Sequence, residues 1–287
     1  MSLKTRTITG LIFGAVMIGG TVASAYSCAI LFLIVGLCCL WEYGGLVQEK
    51  ESPSSVFIIK TRQFLLAILG ILPALGVANW QLNFFNLSPA LYFLLLPTFF
   101  GLFVFELYSK AARPFEQLAH VLMAILYIGV PVALVAFFCL RQPDFGHLLI
   151  MALLAIIWAN DSFAYLAGSR IGKTPFFTRI SPKKTWEGTL SGFVGAMAIG
   201  ALCSILFPAL GYSVAAWLLI ALTASVFGTL GDLVESLLKR SLGIKDSGTI
   251  LPGHGGFLDR FDAFIFLIPF VAFVIFFVLR DPNFSVF

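Results

Sequence analysis

Residues Gly231 to Asp262 read GDLVESLLKRSLGIKDSGTILPGHGGFLDRFD: five carboxylates, five basic groups counting His254, and a glycine-rich turn, set between two strongly apolar segments. A charged side chain at the centre of a bilayer costs roughly 3 kcal/mol even by the lenient measure of helix insertion, so such groups persist beside membrane spans where they are hydrated, paired or needed. Whether the flanks are spans decides the fold.

They belong to a chain of 287 residues that is 60% hydrophobic and 11% charged, against about 25% charged in a soluble domain. Mean hydropathy is +0.99. These values predict an all-α, polytopic integral membrane protein. The net charge of +4 suits basic loops at a membrane face better than a nucleic-acid-binding surface, so no nucleic-acid partner is expected. Cys28, Cys38, Cys39, Cys139 and Cys203 lie in apolar runs without metal-site spacing and should be buried small hydrophobes. The first apolar run lacks a small-residue cleavage site followed by a soluble domain, so no cleavable signal peptide is expected.

Apolar runs near the spanning length of about 20 residues place about nine helices, at about 8–22, 26–47, 63–78, 90–108, 119–140, 146–168, 188–208, 213–238 and 261–279. Sixteen of the eighteen Lys and Arg fall at the N-terminus or in the second, fourth, sixth and eighth connections, leaving Arg141 and Arg280 on the other side. Basic residues collect on the cytoplasmic face. The N-terminus is therefore expected inside and the C-terminus outside, in a bacterial cytoplasmic membrane. The polar connections at about 169–188 and 239–260 then face the cytosol. The expected organisation is a single membrane domain, 1–287, with an apolar multi-span region 1–145 and a catalytic multi-span region 146–280.

Asp161 and Asp232 fall at matching depths, roughly 10 Å inside the sixth and eighth spans at 1.5 Å per residue, which suggests one polar cavity open to the cytosol. Asp232, Glu235, Ser236 and Lys239 follow i, i+3, i+4, i+7 spacing and share one helix face. Asp259 and Asp262 share another, beside Arg260. Facing each other, these stripes offer the hard oxygen ligands that Mg²⁺ takes together with water and substrate phosphates. The competing reading has these carboxylates simply pairing with Lys239, Arg240, Lys245 and Arg260 to hold helices together. Glu42 and Glu106, near the ends of the second and fourth spans, read as interfacial or packing residues without a catalytic role.

The sixth connection carries Lys173, Lys183 and Lys184 with Ser181, Thr185 and Glu187, and Thr185 begins a helix, an arrangement that suits anions. Gly172, Lys173 and Thr174 resemble the end of a nucleotide-binding P-loop, but Ala167 stands where its leading glycine belongs and a span precedes it, so that reading fails. In the eighth connection, Pro252, Gly253, His254, Gly255 and Gly256 supply backbone that can approach phosphate closely. Metal, basic groups and open backbone together are what a triphosphate needs. His254 is a phosphate donor, a general acid or a loop staple.

Ser236, Lys239, Arg240, Lys245, Asp246, Gly248, His254, Gly255, Gly256, Asp259, Arg260 and Asp262 stand in the spacing of the C-terminal signature of the CDP-diacylglycerol synthases, or phosphatidate cytidylyltransferases, which this sequence resembles. Asp161, Ala164, Tyr165, Gly168 and the run SPKKTWEG from Ser181 to Gly188 are similar to an upstream family pattern, so the resemblance covers about residues 155–265. It implies that CTP and phosphatidate give CDP-diacylglycerol and pyrophosphate, with Mg²⁺ on Asp232, Asp259 and Asp262. It further implies catalytic roles for Asp232, Asp259, Lys239 and Arg260. Nucleotide or substrate contacts would fall to Lys183, Lys184, Thr185, Ser236, Arg240, Lys245, Asp246, His254, Gly255, Gly256 and Asp161. The family suggests a homodimer, and a second cation beside Mg²⁺ stays open. Two other readings remain: a different CTP-dependent lipid enzyme such as a polyprenol kinase, and an ion-coupled transporter using Asp161, Asp232 and Asp262 as a relay. The transporter fares worse, because the outer halves of these spans are almost purely apolar.

Overall fold

Short polar side chains start the helices at several points: Ser24, Thr185 and Ser213 each accept a hydrogen bond from the backbone N–H three residues on, at 3.0, 3.2 and 3.2 Å. Each thereby satisfies one of the donors that a helix start leaves unpaired. The computed structural model describes residues 3–47, 56–83, 95–109, 111–248 and 255–284. Among them are nine helices: α1 (Leu3–Ala23), α2 (Ala25–Leu46), α3 (Val56–Leu82), α4 (Leu95–Ser109), α5 (Pro114–Arg141), α6 (Gly146–Ile171), α7 (Trp186–Leu206), α8 (Val214–Ser241) and α9 (Leu258–Val278). Helices α5 and α9 each contain a wider π turn, at Ile125–Gly129 and Val274–Val278.

Each expected span overlaps one of these helices, with residues 90–94 of the fourth lying outside the described residues. Seven of them, all but α1 and α4, are long and apolar enough to cross a membrane, so the chain is an all-α polytopic membrane protein. The strands found among the described residues lie in the sixth connection, where β1 (Pro175–Phe177) pairs antiparallel with β2 (Ser181–Thr185). A hairpin therefore stands where an irregular loop was expected. Its Pro, Lys and Ser content hides it, since these are poor strand formers.

Helices α6 to α9 pack consecutively against one another, α2, α3 and α5 form a second group, and α9 touches both α5 and α2. Apolar side chains gain little from leaving lipid, so close packing carries this association. Phe227 of α8 stacks on Phe270 of α9, and Phe32 of α2 meets Phe261 and Phe264 of α9. The four buried cysteines, Cys28, Cys39, Cys139 and Cys203, are free as expected, and Cys38 is only half-buried. Glu106 proves to be a packing residue. Its carboxylate takes two bonds from Arg62 of α3, at 2.7 and 2.8 Å, and one from Ser109 at 2.6 Å, all in buried surroundings.

Candidate active site

The end of the bundle where α6 and α8 finish and α7 and α9 begin gathers most of the ionisable groups singled out in the sequence. On α8 the predicted stripe forms. The Ser236 hydroxyl donates to Asp232 at 3.3 Å, and Lys239 pairs with the fully buried Glu235 one turn earlier. The Lys239 ammonium also reaches Asp259 of α9 at 2.7 Å, so this one cation ties the two acidic helix faces together.

Asp259 is held from three directions. Its Oδ1 meets Lys239, while its Oδ2 accepts the backbone N–H groups of Ser247 and Gly256, both at 2.9 Å. The turn that delivers the second of these requires glycine at 255: φ is +84°, and a Cβ there would lie 2.7 Å from Asp259 Oδ2. Asp262, one turn further along α9, is buried and accepts the N–H of Ala263 at 2.7 Å. Asp232 receives Lys184 from β2 at 2.6 Å, and the hairpin is thereby attached to α8. On α6, Asn160 donates to Asp161 at 3.3 Å and also meets Thr229 of α8 at 3.5 Å.

Asp161, Asp232, Lys239, Asp246, Asp259, Arg260 and Asp262 all line one cavity of about 430 Å³. Along α6 its wall changes from Leu154 through Ile157 and Trp158 to Asp161, about two turns in which an apolar surface becomes acidic. Gly10, Phe13 and Met17 of α1 complete the wall. The shared cavity expected from the matching depths of Asp161 and Asp232 is present.

Other predicted residues are placed outside it. Lys183 and Lys245 are exposed, and neither lines the cavity. Arg240 donates to the carbonyl of Ile244 at 3.0 Å and closes the end of α8. Thr185 uses its hydroxyl to cap α7, and the Glu187 carboxylate accepts the N–H groups of Lys173 and Thr174 at 3.2 and 3.1 Å. The anion-ready start of α7 is thus already occupied by the protein's own groups. Gly256 stands beside Asp259, and His254 lies outside the described residues.

The carboxylates also test the fit of a divalent cation. Among the described residues no three Asp, Glu, His or Cys side chains converge into a protein-only cage. Mg²⁺ is customarily held by one or two carboxylates with water and substrate phosphates. Several carboxylates around one roomy cavity fit that mode.

Three features escaped the sequence reading: the α1 wall, the Glu187 clasp on the hairpin, and Glu42. Glu42 of α2 is buried and accepts the N–H of Leu258 at 3.0 Å and the Ser247 hydroxyl at 3.2 Å. These contacts join residues 205 and 216 positions apart, a separation that no local pattern reports.

The helical membrane bundle thus holds a cavity that is charged on one side and walled partly by apolar side chains. A model of the cytidylyltransferase family matches residues 4–278. The chain is also similar to the phosphatidate cytidylyltransferase of Bacillus subtilis (strain 168), 33% identical over 279 residues that cover 96% of this chain and 98% of the relative. The enzyme of the same name from Staphylococcus saprophyticus is 37% identical over 264 residues, 84% of this chain and 94% of that one. The chain therefore belongs to the cytidylyltransferase family and is an enzyme, a nucleotidyltransferase.

Proposed function

We propose that this enzyme transfers the cytidylyl group of CTP to phosphatidate in a Mg²⁺-dependent reaction, releasing pyrophosphate and giving CDP-diacylglycerol for phospholipid synthesis. The observation that carries this reading is the graded cavity, in which Phe13, Met17, Leu154 and Trp158 share walls with five aspartates, Lys239 and Arg260. A lipid phosphate supplies both an apolar body and an anionic head, and a nucleotide triphosphate needs cations and metal.

A phosphate oxygen of phosphatidate attacks the α-phosphorus of CTP, the bond from that phosphorus to the β-phosphate bridging oxygen breaks, and pyrophosphate leaves. A phosphate monoester is largely dianionic at neutral pH, so no general base is required. The chain's own work is alignment and charge neutralisation. Asp232, Asp259 and Asp262 would hold Mg²⁺, which when bound neutralises charge developing on the phosphates. Lys239 fixes the Asp259 carboxylate, and Arg260 faces the cavity where the departing pyrophosphate forms. Lys184 orders the hairpin onto Asp232, Asp246 lines the cavity, and Lys183, Arg240, Lys245 and His254 would serve as further contacts for the nucleotide phosphates. Asp161 lines the cavity where its wall turns polar and would contact the nucleotide from there. The placement of sixteen of eighteen Lys and Arg in alternate connections or at the helix ends that flank them supports nine crossings, an N-terminus in the cytosol and a cavity that takes CTP from that side of the cytoplasmic membrane.

Purified protein in mixed micelles should move label from α-labelled CTP into lipid when phosphatidate and Mg²⁺ are both supplied, and EDTA should abolish the transfer. Label appearing in lipid only from γ-labelled CTP would instead make the protein a kinase. Gly10→Leu tests the lipid wall. A side chain added on α1 should raise KM for phosphatidate several-fold and leave KM for CTP near its starting value; the opposite split would move the lipid elsewhere.

A further inference from the structure

Glu42 belongs to the half of the chain that contributes least to the charged site, yet the residue is buried at that site's edge, with a relative exposure of 6%. Its Oε2 accepts from Ser247 Oγ and from Leu258 N. Asp259 Oδ2 accepts from Ser247 N and from Gly256 N. Two carboxylates on different helices therefore grip the same connection on both sides of residues 249–254. Ser247 is held by both, through its hydroxyl by Glu42 and through its N–H by Asp259. Beyond the connection, Gly256 is held by Asp259 and Leu258 by Glu42.

The packing around this grip leaves no latitude. A Cβ on Gly248 would lie 2.5 Å from Glu42 Oε1, and a Cβ on Gly256 would run into Ser247 Oγ and Glu42 Oε2. The cost of the arrangement is also visible, since Oε1 has no hydrogen-bond partner among the described residues. Burying a carboxylate with one oxygen unsatisfied is destabilising. Glu106, by contrast, is matched by Arg62 and Ser109. A buried carboxylate whose hydrogen bonds among the described residues go to Ser247 and to Leu258 at the start of α9 is poor as a packing device and well placed as a support for that connection.

We propose that Glu42 is a positioning residue for the transfer reaction: by accepting hydrogen bonds from Ser247 and Leu258 it fixes the start of α9 and so aims Asp259 into the cavity. This rests on the cytidylyl-transfer reading only for its kinetic consequence; the grip itself is a property of the metal-free protein. The role requires a hydrogen-bond acceptor, and the charge of Glu42 is incidental to it.

Glu42→Leu removes both accepted bonds at similar bulk, whereas Glu42→Gln keeps an acceptor oxygen. Supporting shells of this kind typically contribute about 10- to 100-fold in activity or metal affinity. Glu42→Leu should lose kcat in that range with KM for CTP little changed, and Glu42→Gln should restore turnover to within about threefold of wild type. Independently of activity, amide hydrogen exchange in metal-free protein should speed up over Gly255–Leu258 in the Leu variant and stay slow in the Gln variant. The double variant Arg62→Met with Glu106→Leu serves as a control that removes a buried carboxylate elsewhere and should leave exchange in this segment unchanged. The proposal is overturned if Glu42→Leu exchanges like wild type at Gly255–Leu258, if folded Glu42→Leu turns over normally, or if the Gln variant is as damaged as the Leu variant. Should Glu42→Leu not fold, Ser247→Ala decides: faster exchange and a several-fold fall in kcat support the grip, and wild-type behaviour in both overturns it. A wild-type protein that transfers nothing would sink the functional reading, while the exchange measurements would still decide the grip.

Discussion

Asp259→Asn is expected to lower cytidylyl transfer about 10³-fold, the upper range for losing one group that stabilises charge in a transition state, while the helices stay folded. The carboxylate sits where two demands meet. Its Oδ1 partners Lys239 and its Oδ2 takes two backbone donors, so the protein supplies three donors to this one side chain before any substrate arrives. An amide of the same shape offers only one oxygen. Whichever way it turns, an NH₂ group then faces either the Lys239 ammonium or the N–H pair of Ser247 and Gly256. The substitution thus removes the charge that would hold Mg²⁺ and also loosens the turn that aims it. Circular dichroism and the unfolding midpoint of the variant should remain close to wild type, because Asp259 lies at the first turn of α9 and the apolar packing of that helix lies beyond it. Turnover within about fivefold of wild type at saturating Mg²⁺ would remove Asp259 from the mechanism, given that even a single oriented donor is worth about 10²-fold.

The same residue shows what the sequence could and could not disclose. The i, i+3 spacing of Asp259 and Asp262, and the stripe from Asp232 to Lys239, follow from helix geometry alone, and the structure forms both. Helix ends were harder. α3 runs Val56–Leu82 rather than about 63–78, because Lys60 and Arg62 look like loop residues in sequence. Arg62 and Gln63 are in fact buried, Arg62 on Glu106 and Gln63 on the Trp41 carbonyl at 2.8 Å. A charge can extend an apolar helix only when a partner elsewhere offsets it, and the partner, 44 residues away, leaves no trace in the local pattern. Glu42 is the same case at a greater separation. The first half read as an apolar multi-span region, yet it supplies part of the cavity wall through Phe13 and Met17 and, through Glu42, the acceptor for Ser247 and Leu258. Chemistry was legible where residue type and spacing lay within one helix, and hidden where two remote helices had to meet.

Glu106→Gln is expected to cause the largest loss of stability, about 3 kcal/mol or more, the scale for breaking a buried ion pair by removing one charge. Side-chain exposures of 4% for Arg62 and 5% for Glu106 leave water little access to compensate. Arg62 keeps its charge at any workable pH, so its guanidinium stays buried against an amide that accepts fewer bonds. Ser109 loses a 2.6 Å acceptor as well. The helix at risk is α4, only 15 residues long, which the pair fastens to α3. Exchanging both partners for apolar residues, as in Arg62→Met with Glu106→Leu, should recover most of the loss, because desolvation of two charges consumes much of what their attraction returns. Unfolding midpoints of the wild type, the single variant and the double variant in one detergent check the order. Neither residue lines the cavity, so turnover per folded molecule should be nearly equal in all three. A single variant as stable as wild type would mean that the pair lies open to water in the membrane. A double variant as unstable as the single would mean that α4 depends on the bidentate geometry itself, which apolar bulk cannot replace.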